Sequence, residues 1–138
     1  MNKAALIGSW RLTAGELVSA NGAVRDMHAE PVGRLTYDAN GYMTAQTMSA
    51  ERAPYASANP LAATAQELGL GAANVVSYYG TYEVLEAEHL ILHHLEMAAL
   101  PNWIGSTQRR HFELAGDRLV LSAPLDAETV RLSWIRMA

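Results

Sequence analysis

Along most of the chain apolar and polar residues alternate one by one, the period of a strand with one face in a core and the other in water. The clearest case is the last run, where Val130, Leu132, Trp134 and Arg136 fall on one side and Arg131 and Ser133 on the other. Nine runs of this kind are predicted: Ser9–Ser19, Ala23–Ala29, Gly33–Tyr37, Tyr42–Ser49, Ser77–Leu85, His89–Ala98, Ser106–Leu114, Arg118–Ala123 and Thr129–Met137. Turn-forming stretches separate them, among them Asn21-Gly22, Asp38-Ala39-Asn40-Gly41 and Ala115-Gly116-Asp117. Most of these links have hairpin length, so the runs predict an up-and-down antiparallel meander. Only Ala50 to Val76 breaks the rhythm, being alanine-rich and poor in β-branched residues. There Asn59-Pro60 reads as a helix start, with Asn as N-cap and Pro in the first turn. Leu61, Ala65 and Leu68 follow at helical spacing, and Gly69 and Gly71 offer an end.

The two termini make the meander close on itself. Gly8-Ser9-Trp10 opens the first run and Trp134-Ile135-Arg136 ends the last. If these strands are neighbours, the Trp10 indole packs across a barrel floor and the Arg136 guanidinium lies over its face. The expected fold is therefore all-β: a closed antiparallel up-and-down β-barrel of eight to ten strands, with a short helical insertion over one end, spanning residues 1–138 as a single domain. The insertion is expected to act there as a plug on apolar core or as a lid over a pocket. A barrel of this size holds one small ligand.

Strand parity then sorts the interior. Phe112 and Leu114 point inward and carry Gln108 and Arg110 with them. Leu35 brings Tyr37, and Val84 brings Tyr78 and Tyr82. In the sixth run Ile91, His93, Leu95 and Met97 form the more apolar face, which puts His94 and Glu96 outside unless a bulge intervenes. Tyr37, Met43, Tyr78, Tyr82, His93, Met97, Trp103, Gln108 and Arg110 are thus the candidate ligand-binding residues. The methionines would give an adaptable lining, and Trp103 would plug the core or stack on a ligand at the mouth.

Composition narrows the chemistry. Half of the 138 residues are hydrophobic and the net charge is −4, as in a soluble globular protein. Arg109-Arg110 is the single basic pair, too little for a nucleic-acid face. No run reaches the length of a membrane span, and the first residues lack the apolar stretch of a signal peptide, which makes the cytoplasm the expected location. Without cysteine, disulfides and Cys-based zinc sites are excluded. His93 and His94 point to opposite faces, and His94 with Glu96 lacks a third ligand, so no metal is expected. Gly69-Leu70-Gly71 lacks the third glycine of a dinucleotide loop and follows a helix, and no other cofactor motif is present.

Several stretches together resemble one family. They are Leu6-Ile7-Gly8-Ser9-Trp10-Arg11-Leu12, Gly33-Arg34-Leu35-Thr36-Tyr37, Tyr79-Gly80-Thr81-Tyr82-Glu83-Val84, His93-His94-Leu95-Glu96, Pro101-Asn102-Trp103-Ile104-Gly105 and Trp134-Ile135-Arg136. Taken over nearly the whole chain, they are similar to the bacterial and fungal lipocalin-like domain family. That resemblance implies a calycin-type β-barrel around a central cavity. Most lipocalin-like folds bind small apolar molecules, and some relatives in the wider fold class act as cofactor-free cyclases or isomerases. The expected function is binding of a small apolar or aromatic molecule that bears an oxygen. The alternative is a cofactor-free isomerase, cyclase or hydrolase acting on a carbonyl compound of polyketide or terpenoid type. In that case His93 would be the base, Tyr82 the oxygen stabiliser and Arg110 an anion holder. The plainer reading of His93 is a core residue bonded to a tyrosine hydroxyl. A small molecule is the expected partner, and the exposed sheet face leaves room for a homodimer.

Overall fold

A computed structural model describes residues 3–138; Met1 and Asn2 of the N-terminal stretch read above lie outside the described residues. It contains β1 (Gly8–Val18), β2 (Val24–Asp26), β3 (Pro31–Tyr37), β4 (Tyr42–Ser49), the helix α1 (Ala65–Ala72), β5 (Val76–Leu85), β6 (Leu90–Ala98), β7 (Thr107–Ala115), β8 (Arg118–Leu125) and β9 (Glu128–Arg136). From β3 onward each strand pairs antiparallel with the next, and β1 pairs with β3 on one edge and β9 on the other. Eight strands so form a closed antiparallel barrel, and the short β2 is an extra rung beside the far part of β1. The hairpins carry the turn chemistry that alternation alone leaves open. Between β3 and β4, Asp38 Oδ1 accepts from the amides of Asn40 and Tyr42, both at 2.9 Å, and Gly41 takes a φ of 93°.

One end of the barrel is sealed. Trp10 and Arg136 stand directly opposite each other across β1 and β9. The guanidinium carbon lies 4.2 Å from the centre of the indole, which is fully buried. Arg136 also donates to the carbonyls of Ile7, at 2.9 Å, and Ala5, and the Trp10 Nε1 donates to Leu6 at 3.0 Å. A short 3-10 turn, Lys3–Ala5, with the buried Leu6 behind it, is thereby stitched under the floor.

The second predicted run is the main difference among the strands. Only Val24–Asp26 is strand, and the chain then bends, bringing His28 into the interior at 2% exposure. Its Nε2 meets Thr47 Oγ1 at 3.1 Å, and its ring sits where β1 supplies Gly15 rather than a side chain. A second difference is in β6. The pairing of β5 with β6 shifts register between Tyr79 and Gly80, so that Gly80 faces Leu95 while Tyr79 faces Met97. The extra residue reverses the parity beyond Leu95. Met97, expected inside, is 42% exposed on the outer face, and Ala98 is buried in its place.

The insertion also starts differently. Asn59 caps as expected, accepting from the Leu61 amide at 3.0 Å, but it opens only a 3-10 turn, Pro60–Ala62. The helix proper begins five residues later, with a capping box in which the Glu67 amide donates to Thr64 Oγ1 at 3.1 Å and the Thr64 amide donates to Glu67 Oε1 at 2.9 Å. Gly69 and Gly71 lie within α1 rather than after it. A Cβ at Gly71 would fall 1.6 Å from the Tyr55 hydroxyl, so a larger residue there would displace that side chain. No residue of α1 is buried.

Candidate functional site

The inward faces of β5, β7, β8 and β9 do not fill the barrel at the end opposite Trp10. They enclose a cavity of about 320 Å³ whose wall is mostly apolar. Val76, Leu121, Ala123, Val130 and Leu132 supply the apolar part, and Tyr78, Gln108 and Arg110 the polar part. Trp103, Met27 and the end of β8 with the turn after it, Pro124–Asp126, form the rim. The volume is at the low end of the roughly 300–1,000 Å³ of small-molecule sites, which suits a one-ring compound better than a long lipid.

Each polar group is held by its strand. Gln108 and Arg110 sit two apart on the inner face of β7, opposite His93 and Ile91 of β6. Gln108 donates from its amide nitrogen to Ser106 Oγ at 2.8 Å, and Ser106 in turn donates to the Trp103 carbonyl at 2.6 Å. The Trp103 ring stands edge-on to Tyr78 at 5.9 Å, with the Arg110 guanidinium 5.8 Å from its centre. Among the described residues no carboxylate pairs with Arg110; the ion pairs present, Arg25–Glu128, His94–Glu83 and Arg131–Glu16, all lie elsewhere. An inward-facing, half-buried guanidinium without a counter-charge leaves donors free for a ligand oxygen.

Behind this cavity runs a buried chain of three rings. Tyr37 Oη meets His93 Nε2 at 2.7 Å, and Tyr78 Oη meets His93 Nδ1 at 2.9 Å. His93 is fully buried, and burial first, then the charges of Arg110 and His94, lowers its pKa from about 6.5 to about 3. The imidazole is therefore neutral at ordinary pH. Burial raises Tyr37 well above the usual phenol range; it raises Tyr78 too, against the opposing pull of Arg110. Both tyrosines are thus protonated.

The structure divides the residues singled out from sequence into three groups. Tyr78, Trp103, Gln108 and Arg110 meet at the cavity. Tyr37, Met43, Tyr82 and His93 are buried in the core and do not border it. The Tyr82 hydroxyl is spent on the Asp38 carbonyl, 2.6 Å away toward the sealed end, and its ring packs on Tyr37 with centroids 4.6 Å apart. Met97 is outside. Met27 and the rim segment Pro124–Asp126, at the end of β8, are not among the residues singled out from sequence. That segment has a signal in the sequence, since it ends a run whose alternate residues face inward; Met27 has none, because it reaches the cavity through the bend after β2.

The insertion lies at this same end but over a different sector. With His28, Met48 and Met27 it bounds a separate cleft of about 510 Å³, reached by Tyr55, Arg52 and Leu70. Met27 belongs to both spaces and forms part of the partition between them.

One relative, the 4'-hydroxy-3'-methoxypropiophenone carrier protein of Aspergillus oryzae, is 31% identical over 86 residues, covering 58% of this chain and 78% of the relative. A redesigned β-barrel of known structure is similar at a TM-score of 0.48 and 9% identity, covering 98% of this chain and 94% of that one. The lipocalin-like domain matches residues 7–135. The chain belongs to the lipocalin-like domain family.

Proposed function

We propose that this barrel binds and carries a small aromatic or apolar molecule bearing an oxygen function, seated in the open-end cavity with its ring against the apolar wall and its oxygen at Arg110 and Tyr78. The observation that carries the reading is the Arg110 guanidinium, which pairs with no carboxylate among the described residues, beside Tyr78 in a mostly apolar cavity of about 320 Å³. The relative supports the same class, since its name is that of a carrier for an aromatic ketone. The catalytic alternative draws less support: both nitrogens of His93 are engaged by tyrosines, its basicity is low, and Tyr82 faces the sealed end.

The test is a displacement titration with a fluorescent apolar probe and propiophenone as competitor. Wild-type protein should bind propiophenone with a micromolar Kd, and Arg110→Met should weaken it about tenfold or more, the worth of a hydrogen bond from a charged donor. Identical affinities in the two proteins would remove the cavity from consideration as the binding site.

A further inference from the structure

The hydrogen atoms in the three-ring chain can be counted. Two phenols and one neutral imidazole carry three polar hydrogens, and the contacts Tyr37–His93 and His93–Tyr78 use two of them. One hydrogen is left over, and it must point out of one end of the chain. At the Tyr37 end there is nowhere for it to go: that side chain is fully buried, and its hydroxyl has no partner other than His93 among the described residues. At the other end, Tyr78 borders the cavity. A buried hydroxyl hydrogen without an acceptor is costly, whereas one facing a cavity is satisfied by water or ligand.

From this we infer that the chain has one sense: Tyr37 donates to His93 Nε2, His93 Nδ1–H donates to Tyr78, and the Tyr78 O–H is aimed into the cavity beside Arg110. The Tyr78–Arg110 corner then offers a ligand hydrogens and no lone pair. It selects an oxygen that accepts without needing to donate, as a ketone, ester, enolate or carboxylate does, over a hydrocarbon of the same shape. His93 acts here as a positioning residue, fixing through its tautomer the direction of the Tyr78 hydrogen. The neutrality of His93 agrees with the count, because a second ring proton would turn both tyrosines into acceptors. Arg110, which pulls the Tyr78 pKa downward, agrees as well, since a phenol oxygen accepts twice and still donates its own hydrogen. Gln108, the side-chain amide of the cavity wall, gives its nitrogen to Ser106, and its Oε1 meets no donor among the described residues, so a ligand hydroxyl would be read there and not at Tyr78.

This inference rests on the carrier reading above, and its experiment separates the two. Acetophenone and α-methylstyrene have the same outline and differ in C=O against C=CH2. Both are titrated into wild type and Tyr78→Phe, and the His93 ring nitrogens are assigned by 15N NMR in the free wild type. The expected result is a preference for acetophenone of about tenfold in wild type, falling to within about threefold in Tyr78→Phe while α-methylstyrene binding is unchanged. The expected tautomer has the proton on Nδ1. Equal affinities for the two probes in wild type, or a proton on Nε2, would overturn the inference and leave the carrier reading standing. Failure of both probes to bind would overturn the carrier reading itself.

Discussion

Arg136 spans the join of the barrel: its guanidinium carbon is 4.2 Å from the centre of the Trp10 ring, on the strand directly opposite, and its nitrogens reach the carbonyls of Ile7 and Ala5. A single side chain thus fastens the last strand to the first and to the segment under the floor. Arg136→Met keeps the apolar stem but loses the ring contact and the hydrogen bonds to the Ile7 and Ala5 carbonyls. The expected cost is about 2–4 kcal/mol in urea unfolding. The cavity at the other end should be untouched, so ligand affinity at saturating folded protein should stay at the wild-type value.

The buried His93 makes stability depend on pH in a defined direction. Its pKa is about 3 in the folded protein and near 6.5 in the unfolded chain, so between these values only the unfolded chain takes up the proton. Stability is undiminished above pH 6.5 and falls as the pH drops toward 3, at up to tenfold in the folding constant per pH unit. His28 is lowered by burial as well and adds to the fall in the same sense. Unfolding curves at pH 7, 5.5 and 4.5 should show this slope, and His93→Gln should be less stable at pH 7 but lose less on acidification. An equal slope in the variant would assign the effect to other groups.

Gly80 sits at the bulge of β5 against β6, where a Cβ would fall 1.9 Å from the His94 carbonyl oxygen. That atom is backbone and has no rotamer by which to retreat. Gly80→Ala is expected to cost about 3 kcal/mol, the upper range of overpacking, and to shift the amide resonances of residues 94–98. Gly116→Ala is the contrast: nothing lies within 4 Å of its Cβ position, and only its φ of 60° disfavours alanine. It should cost about 1 kcal/mol.

The insertion should be the least protected ordered segment. In α1 no side chain is buried; Leu61, just before it, is 93% exposed, and a polar contact within the insertion, Arg52 to the Gly71 carbonyl at 2.6 Å, helps to hold its shape. Hydrogen exchange of residues 61–73 should run far ahead of the strands. Because these residues do not border the central cavity, a ligand seated there should protect the rim around Trp103 more than α1.

Much of this architecture could be read from residue order. Alternation identified the strands and their inward faces from Tyr37, Tyr78, Phe112 and Trp134, and the closure of the barrel followed from Trp10 and Arg136. Alternation is blind to an inserted residue, which is why Met97 was assigned to the wrong face beyond the bulge at Gly80. It is equally blind to a bend, which is why it does not show that His28 and Met27 turn inward. At the site, parity brought Gln108 and Arg110 to one wall with Tyr78. Parity does not say how deep along the axis a side chain sits, and so it could not separate Tyr78, at the cavity, from Tyr37 and Tyr82, behind it. The helix start was misjudged because Asn59-Pro60 and Thr64-x-x-Glu67 are both sound caps, and only the second leads into a stretch long enough for a full helix.

The central claim is that a one-ring oxygen-bearing molecule sits between Arg110, Tyr78 and Trp103. The most direct measurement is a 1H–15N NMR titration with propiophenone, following the backbone amides and the indole and guanidinium N–H signals. Saturable shifts at Trp103 Nε1, Arg110 Nε and the amides of Leu121 and Leu132, with Trp10 Nε1 unmoved, are the predicted result. No saturable shift at these groups up to millimolar ligand, or shifts confined to the cleft under the insertion around His28 and Tyr55, would contradict it.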